Sequence, residues 1–349
     1  MHAARDRPPE RHPVCRSAAI AGGSPHGRAR RGGTGFRLAQ RALFLGTPEF
    51  AVRSLEALDR LRESGVLQIV GVVTQPDRPA SRGVVREPAV KVAARAMGLS
   101  VRQPPRLDEK EVAAILALRP ELLVWSAYGN KIPKTLLAAV SGRALNVHAS
   151  LLPRWRGAAP IAHAILAGDT ETGVTLMEGT AELDAGPILA QTRTKLGDET
   201  KGDLERRLAD LGGELLEREM PNYLAGRLVR RPQDPKKVTL APKLEPREGE
   251  LDLERPAEEL VRRVRAYTPD PGAFVTFHGQ RIALLRASTA GGGGVEHGTF
   301  QIRDGVPYIA AGAGWLRLDE VKPAGKRAMG GAEWARGLRD VRPDERVPS

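Results

Sequence analysis

Asn146, Val147 and His148 stand at the end of the run "RALNVHA", and Asp184 stands further on in "AELDAGPI". These residue types suit a reaction in which a proton moves while negative charge builds on an oxygen. A neutral imidazole accepts or gives a proton near pH 7, and a carboxamide is a fixed N–H donor. Side chains alternate faces along a strand, so Asn146 and His148 would share one face while Leu145 and Val147 pack the other. One donor beside one proton carrier fits oxyanion stabilisation coupled to acid–base work. By spacing alone, Asn-x-His also reads as a polar pair that ends a strand. Asp184 also reads as a turn residue placed for its own backbone reasons.

The elements that would hold these residues are legible from Arg41 onward. "RALFLG" and "LQIVGVVT" read as buried strands, with the helix "TPEFAVRSLEALDRL" between them, Thr47 as its N-cap and Pro48 at its first position. "LLVWSAY" and "RALNVHA" are further strands. The helices "AVKVAARAMG", closed by Gly98, and "DEKEVAAILALR", with Asp108 and Glu111 at capping-box spacing, precede the first of these two, and "PKTLLAAV" lies between them. Alternation of this kind predicts an α/β domain with a mostly parallel, doubly wound sheet covered on both faces. Ligands in such sheets bind outside the carboxyl ends of the strands. The segments at issue are therefore Gly46 to Pro48, Thr74 to Gly83, Tyr128 to Lys131 and His148 to Gly157.

After two more strands and a long helix, "VRRPQDPKK" is basic and broken by Pro, as a linker would be. Beyond it, short β runs between Gly-rich turns predict a small OB-like β-barrel domain. The expected divisions are a disordered basic extension over 1–40, a catalytic domain over 41–228, a linker over 229–245 and a second domain over 246–340.

Bulk properties exclude several classes. The chain has 349 residues and a net charge of +12. Half of that charge lies in the first forty residues, which carry eight Arg against Asp6 and Glu10, and which fit a translation start placed too far upstream. The rest is mildly basic, which permits a nucleic-acid partner without demanding one. No apolar run approaches the roughly 18 residues of a membrane helix. The single cysteine, Cys15, excludes an internal disulfide or a Cys-rich zinc site and suits a cytoplasmic protein. The chain shows no His-x-x-x-His and no paired His near carboxylates, so no metal is expected. "GTPEFA" lacks the G-x-G-x-x-G spacing of a dinucleotide site.

The run "NVHASLLPRWRGAAPI", followed by "LDAG" at Leu183–Gly186, resembles the folate-dependent formyltransferase superfamily. "FLGTPEFA", "TQPDRPASRG", "VKVAARAMGL", "AYGNKIPKTLL", "GDTETGVTLM" and "KPAGKRAM" extend the resemblance, in order, over roughly residues 43–336. They are similar to the branch that formylates the methionyl group of initiator tRNA. The resemblance implies a co-substrate, 10-formyltetrahydrofolate, whose N10 formyl group passes to an amine. It implies Asn146, His148 and Asp184 as the catalytic three. Asn146 and His148 would donate to the oxyanion, and Asp184 would hold the imidazole. It implies Ser150, Leu151, Leu152 and Pro153 as an apolar wall for the folate. It implies Arg78 and Arg82 as contacts to the tRNA acceptor end, although Val84-Val85 stands where relatives often have Lys-Lys. Lys236, Lys237 and Lys243 would track phosphates. It also implies a monomer with no membrane association. The rivals are a formyltransferase acting on glycinamide ribonucleotide, which would not need the second β domain, a hydrolase releasing formate, and an RNA-binding protein that has lost the chemistry.

Overall fold

The first strand, β1 (Gln40–Gly46), has four consecutive residues, Ala42 to Leu45, with no exposure at all. Such an unbroken apolar run belongs to a strand covered on both faces. The computed structural model describes residues 39–79, 85–292, 294–339, 342 and 345–348. The expected disorder of the N-terminal extension falls on residues outside this set, apart from the last two of the forty.

β1 is followed by α1 (Glu49–Glu63) and β2 (Leu67–Val73). A short hairpin, β3 (Arg78–Pro79) and β4 (Val85–Arg86), precedes α2 (Ala89–Ala96), β5 (Val101–Arg102) and α3 (Glu109–Leu116). Next come β6 (Leu122–Ser126), α4 (Lys134–Ala139), β7 (Ala144–His148), β8 (Arg156–Gly157), α5 (Pro160–Leu166), β9 (Glu171–Glu178), β10 (Ile188–Lys195) and α6 (Lys201–Leu224). The sheet runs β10-β9-β7-β6-β1-β2-β5. The five strands from β7 to β5 pair in parallel, and β9 and β10 are antiparallel additions at the β7 edge. The mostly parallel α/β expectation therefore holds.

Helix ends follow local chemistry. Asp108 accepts from the Glu111 N–H at 2.9 Å, but the Glu111 carboxylate turns to Arg102 rather than closing a capping box. α1 begins one residue later than the sequence suggests, with Pro48 as its cap. The Thr47 hydroxyl donates instead to the Tyr128 carbonyl, tying the β1 exit to the β6 exit. α6 carries Gly212 and Gly213 on its buried side. A Cβ on Gly213 would stand 2.8 Å from the Arg53 carbonyl of α1, and one on Gly212 2.9 Å from Val147 of β7. The two glycines let α6 lie close against α1 and the back of β7, which presses Val147 into the core.

After α6 the chain passes through β11 (Leu240–Ala241) to α7 (Ala257–Tyr267). The second sheet contains β12 (Ala273–Phe277), β13 (Gln280–Ala290), β14 (Thr299–Arg303), β15 (Val306–Ala310), β16 (Trp315–Pro323), β17 (Met329–Gly330) and β18 (Glu345–Arg346), with α8 (Gly331–Arg336) between the last two. Its order is β12-β13-β16-β15-β14-β18, entirely antiparallel, with β17 beside β16. The sheet curls into a half-barrel. Phe277 of β12 reaches Phe300 of β14 at 4.6 Å between ring centroids, and both meet Trp334 of α8 edge-on. Among the described residues no helix is long and apolar enough to cross a membrane.

Candidate active site

Asn146 and His148 leave one face of β7 at its carboxyl end, 5% and 7% exposed, while Val147 between them packs inward. Both line a cavity of about 880 Å³. Asp184 lines it too, as do Ala127 to Ile132 after β6, Gly157 to Ala162, and Phe50, Lys201 and Glu205. The site therefore sits at the strand exits, where a parallel sheet leaves its backbone and side chains free to meet a ligand.

Asp184 is held in a left-handed conformation, φ +48°, which side-chain-bearing residues rarely adopt. Its Oδ1 accepts from Asn146 Nδ2 at 3.1 Å and its Oδ2 from the Gly157 N–H at 3.0 Å. The His148 ring lies alongside, with Nδ1 at 3.7 Å from Oδ2. That is beyond hydrogen-bond range, so the carboxylate faces the imidazole without gripping it.

The grip on His148 comes from elsewhere. Nε2 lies 2.9 Å from the Trp155 carbonyl. A carbonyl only accepts, so Nε2 carries the proton and, in the neutral ring, Nδ1 presents its lone pair towards Asp184. The resemblance implies that Asp184 holds the ring; the hydrogen bond that fixes the ring here goes to the Trp155 carbonyl. Trp155 is itself left-handed, φ +65°. Its N–H donates to Thr239 Oγ1 at 2.9 Å and its indole Nε1 to Asp169 at 2.8 Å. Arg154 stacks over the indole at 4.3 Å while binding the same Asp169 carboxylate.

The segment Ser150 to Pro153 does not line the cavity. Ser150 is fully buried, its hydroxyl donating to the Arg154 carbonyl at 2.6 Å, which folds the loop back so that the Trp155 carbonyl reaches His148. Leu152 is buried against Met177 and Ile188, and its N–H is taken by Thr175. Leu151 would press on any Cβ added at Gly173 of β9. These residues build the loop, and the cavity wall is formed instead by the run after β6 that includes Tyr128 and Ile132. Of the cations, Arg78 and Lys243 line the cavity, whereas Lys236 and Lys237 are exposed on a short 3-10 turn. Arg82 lies outside the described residues.

Spacing did not reveal Trp155, which acts through its own carbonyl, or Thr239 and Gln233, whose side chains bond to backbone groups distant in sequence. Residues 229–245 read as a linker, and they run as a strap across the loops that carry Trp155, Gly157 and Asp184. Arg231 bridges Ile188, Thr239 takes the Trp155 N–H, and β11 pairs in parallel with β8. Gly157 of β8 has φ +124°, and a Cβ there would stand 2.6 Å from the Ala241 carbonyl, so only glycine lets the strap pass this closely.

Charge shifts in the cavity wall follow burial. Burial pushes the Tyr128 hydroxyl up to about 12, against the opposing pull of the Asn130 side chain. Burial likewise raises the Glu205 carboxyl above its ordinary 4.5. At the base of the β3–β4 hairpin, Lys91 is only 5% exposed and reaches Asp77 at 2.5 Å and Glu87 at 2.7 Å. Gln103 and Lys91 hold the Asp77 carboxyl below 3.8, and Lys91 holds that of Glu87 below 4.5. The clamp's contribution is thus fully present above these ordinary values and is lost only as pH falls through the lower folded-state values.

Comparison with known proteins places the chain in a class first. It belongs to the formyl transferase family: the family described as "Formyl transferase" matches residues 40–220, and "Formyl transferase, C-terminal domain" matches residues 243–339. Within that class its relatives include the methionyl-tRNA formyltransferase of Myxococcus xanthus (strain DK1622), 46% identical over 302 residues, covering 85% of this chain and 95% of that one. The methionyl-tRNA formyltransferase of Halorhodospira halophila is also 46% identical, over 87% of this chain and 98% of its own. Among solved structures, WlaRD, described as a sugar 3N-formyl transferase in the presence of dTDP and 5-N-formyl-THF, superposes with a TM-score of 0.61 at 15% identity, over 83% of this chain and 99% of that one. HypX from Aquifex aeolicus in complex with tetrahydrofolic acid superposes with a TM-score of 0.59 at 21% identity, over 87% of this chain and 48% of that one. These two structures share the fold.

Proposed function

We propose that the chain transfers the formyl group of 10-formyltetrahydrofolate to the α-amino group of methionine on initiator tRNA, as a cytoplasmic monomer. The observation that carries this reading is the meeting of Asn146, His148 and Asp184 on one cavity wall, in a chain whose methionyl-tRNA formyltransferase relatives match both sheets. The cavity is of a size that takes a drug-sized ligand, and Trp125, Tyr128 and Ile132 give it an apolar side suited to a flat pterin. We place the catalytic domain at 41–228, the linker at 229–245 and the second domain at 246–340.

The residues divide the chemistry as follows. The neutral amine forms a bond to the formyl carbon, whose oxygen takes up negative charge. Asn146 has one N–H committed to Asp184 and a second free to donate to that oxygen. The His148 Nε2–H is committed to Trp155, so Nδ1 is the atom that takes the proton leaving the amine. The resulting imidazolium faces Asp184, which two fixed donors keep in place. It can then donate to the oxyanion and return its proton to N10 as the bond between N10 and the formyl carbon breaks. Arg78 and Lys243 at the cavity, with Arg82, Lys236 and Lys237, supply positive charge for the tRNA backbone.

The discriminating experiment offers the purified protein 10-formyltetrahydrofolate with either methionyl-tRNA or glycinamide ribonucleotide. Formylated methionyl-tRNA is the expected product. Formylation of glycinamide ribonucleotide alone overturns the assignment, and formate release to water without either product favours the hydrolase.

The Lys91 clamp gives a separable prediction about the RNA. Lys91→Met leaves Asp77 and Glu87 without their shared cation and loosens both stems of the hairpin that carries Arg78. KM for methionyl-tRNA is expected to rise several-fold while KM for the folate and kcat stay within about twofold, since a positioning contact for the backbone is lost and no reacting group is touched. Steady-state kinetics with each substrate varied in turn checks this.

A further inference from the structure

Gln233 belongs to the strap, far in sequence from every reacting group, yet its amide closes on the catalytic turn. Nε2 donates to the Asp184 carbonyl at 2.8 Å and to the Gly186 carbonyl at 2.8 Å. Oε1 accepts from Arg156 Nε at 3.0 Å. The orientation of the amide admits no exchange of its two ends. Carbonyls only accept and a guanidinium only donates, so a flipped Gln233 would make three wrong contacts. All three of its useful bonds are therefore made at once, from one partly buried side chain.

These bonds fall where the backbone most needs them. Asp184 sits at φ +48°, a conformation that costs energy and persists only where its surroundings over-determine it. Arg156 directly precedes Gly157, whose N–H holds the Asp184 carboxylate. Gln233 thus ties together the backbone of the turn that aims the carboxylate and the segment that donates to it.

We propose that Gln233 is a positioning residue for formyl transfer, fixing the Asp184 turn against the Arg156–Gly157 segment so that the carboxylate stays opposite His148 Nδ1. The proposal rests on the reading of Asp184 as catalytic. Gln233 touches neither substrate nor any reacting atom. Its action is to keep the site geometry within the small tolerance that transfer requires, where a displacement of about 1 Å costs on the order of 100-fold.

Gln233→Glu is nearly isosteric, keeps the contact to Arg156 and replaces the NH2 that donates twice by one oxygen facing two carbonyls. The expected result is a fall in kcat of about 10- to 100-fold, normalised to folded protein, with KM for methionyl-tRNA and for the folate within about twofold. A protonated carboxyl regains one donor, so the ratio of variant to parent kcat is expected to rise as pH falls towards the carboxyl range. Gln233→Ala, which has no donor at any pH, is expected to lose kcat without that recovery. Asp184→Asn is assayed beside them. If Asp184→Asn is inactive while both Gln233 variants keep kcat within twofold, the clamp is overturned and the catalytic reading stands. If Asp184→Asn retains full transfer, the reading beneath the proposal fails, and the clamp with it. A loss in the Gln233 variants fully explained by a reduced folded fraction, or seen only in KM, also overturns the clamp.

Discussion

His148→Ala is expected to reduce kcat by about 100- to 10,000-fold, the range that a positioned general base supplies. KM for both substrates should change little, because the ring makes its one fixed hydrogen bond to the protein, at Trp155, and offers only Nδ1 to the reaction. The ring is 7% exposed at the end of a strand whose other face is packed by α6, so its removal leaves a small gap in the cavity wall and the sheet intact. Added imidazole is expected to enter that gap and restore part of the rate. Single-turnover transfer at saturating substrates, with and without imidazole, is the measurement. Undiminished transfer in the alanine variant would remove His148 from the proton path and leave Asn146 as the only group acting on the oxyanion.

That expectation could be framed from sequence because period two is a strong constraint. Once "RALNVHA" was a parallel strand, Asn146 and His148 had to share a face, and the carboxyl end of the strand had to face a ligand site. The same logic covers most of the α/β sheet, whose strands are continuous apolar runs separated by helices with recognisable ends. Asp184 was different. Nothing in "AELDAG" separates a catalytic carboxylate from a turn residue, and the resemblance alone marked it. The half-barrel was visible only as texture, short β runs with glycine between them, with no sign of how β18 would pair.

The parts that stayed hidden have a common physical cause. Trp155 acts through its carbonyl, Gly157 through its N–H, and Gln233 through bonds to two carbonyls, and a backbone group has no signature in residue type. Ser150 to Pro153 illustrate the converse. Two Leu and a Pro look like a wall for an aromatic ligand, but which way a loop turns its side chains depends on a network made after folding. Here the Ser150 hydroxyl folds the loop and Thr175 takes the Leu152 N–H, so that Leu152 is buried against Met177 and Ile188 while Leu151 and Pro153 stay half-buried. Thr47 shows the same effect on a smaller scale, since a hydroxyl beside a helix start can serve a neighbouring strand exit instead of the helix.

Asp184→Asn tests the electrostatic half of the mechanism while disturbing the shape least. The carboxylate is 9% exposed and accepts one bond on each oxygen, from Asn146 and from the Gly157 N–H. An asparagine in its place can accept on one side only, and its own NH2 must face a donor on the other. One buried donor is left without a partner, which costs on the order of 1–3 kcal/mol. The loss reaching catalysis has a second and larger source. On the proposed path, in which Nδ1 takes the proton from the amine, the parent enzyme sets a full negative charge 3.7 Å away, and the variant sets a neutral amide there. In a water-poor site that attraction is worth far more than in bulk solvent, because preorganised charge needs no reorganisation at the moment of reaction. The expected fall in kcat is about 100- to 1,000-fold, with binding of methionyl-tRNA nearly unchanged, since Arg78, Lys236, Lys237 and Lys243 make no bond to this turn among the described residues. Asp184→Ala separates the two sources. It removes the charge but also the facing amide, and so leaves both Asn146 and Gly157 free to rearrange. A charge-dominated mechanism has the alanine and asparagine variants equally slow. A mechanism in which Asp184 merely anchors the loop has the alanine variant far slower, because both anchors are gone, and that ordering would reassign Asp184 from proton transfer to architecture.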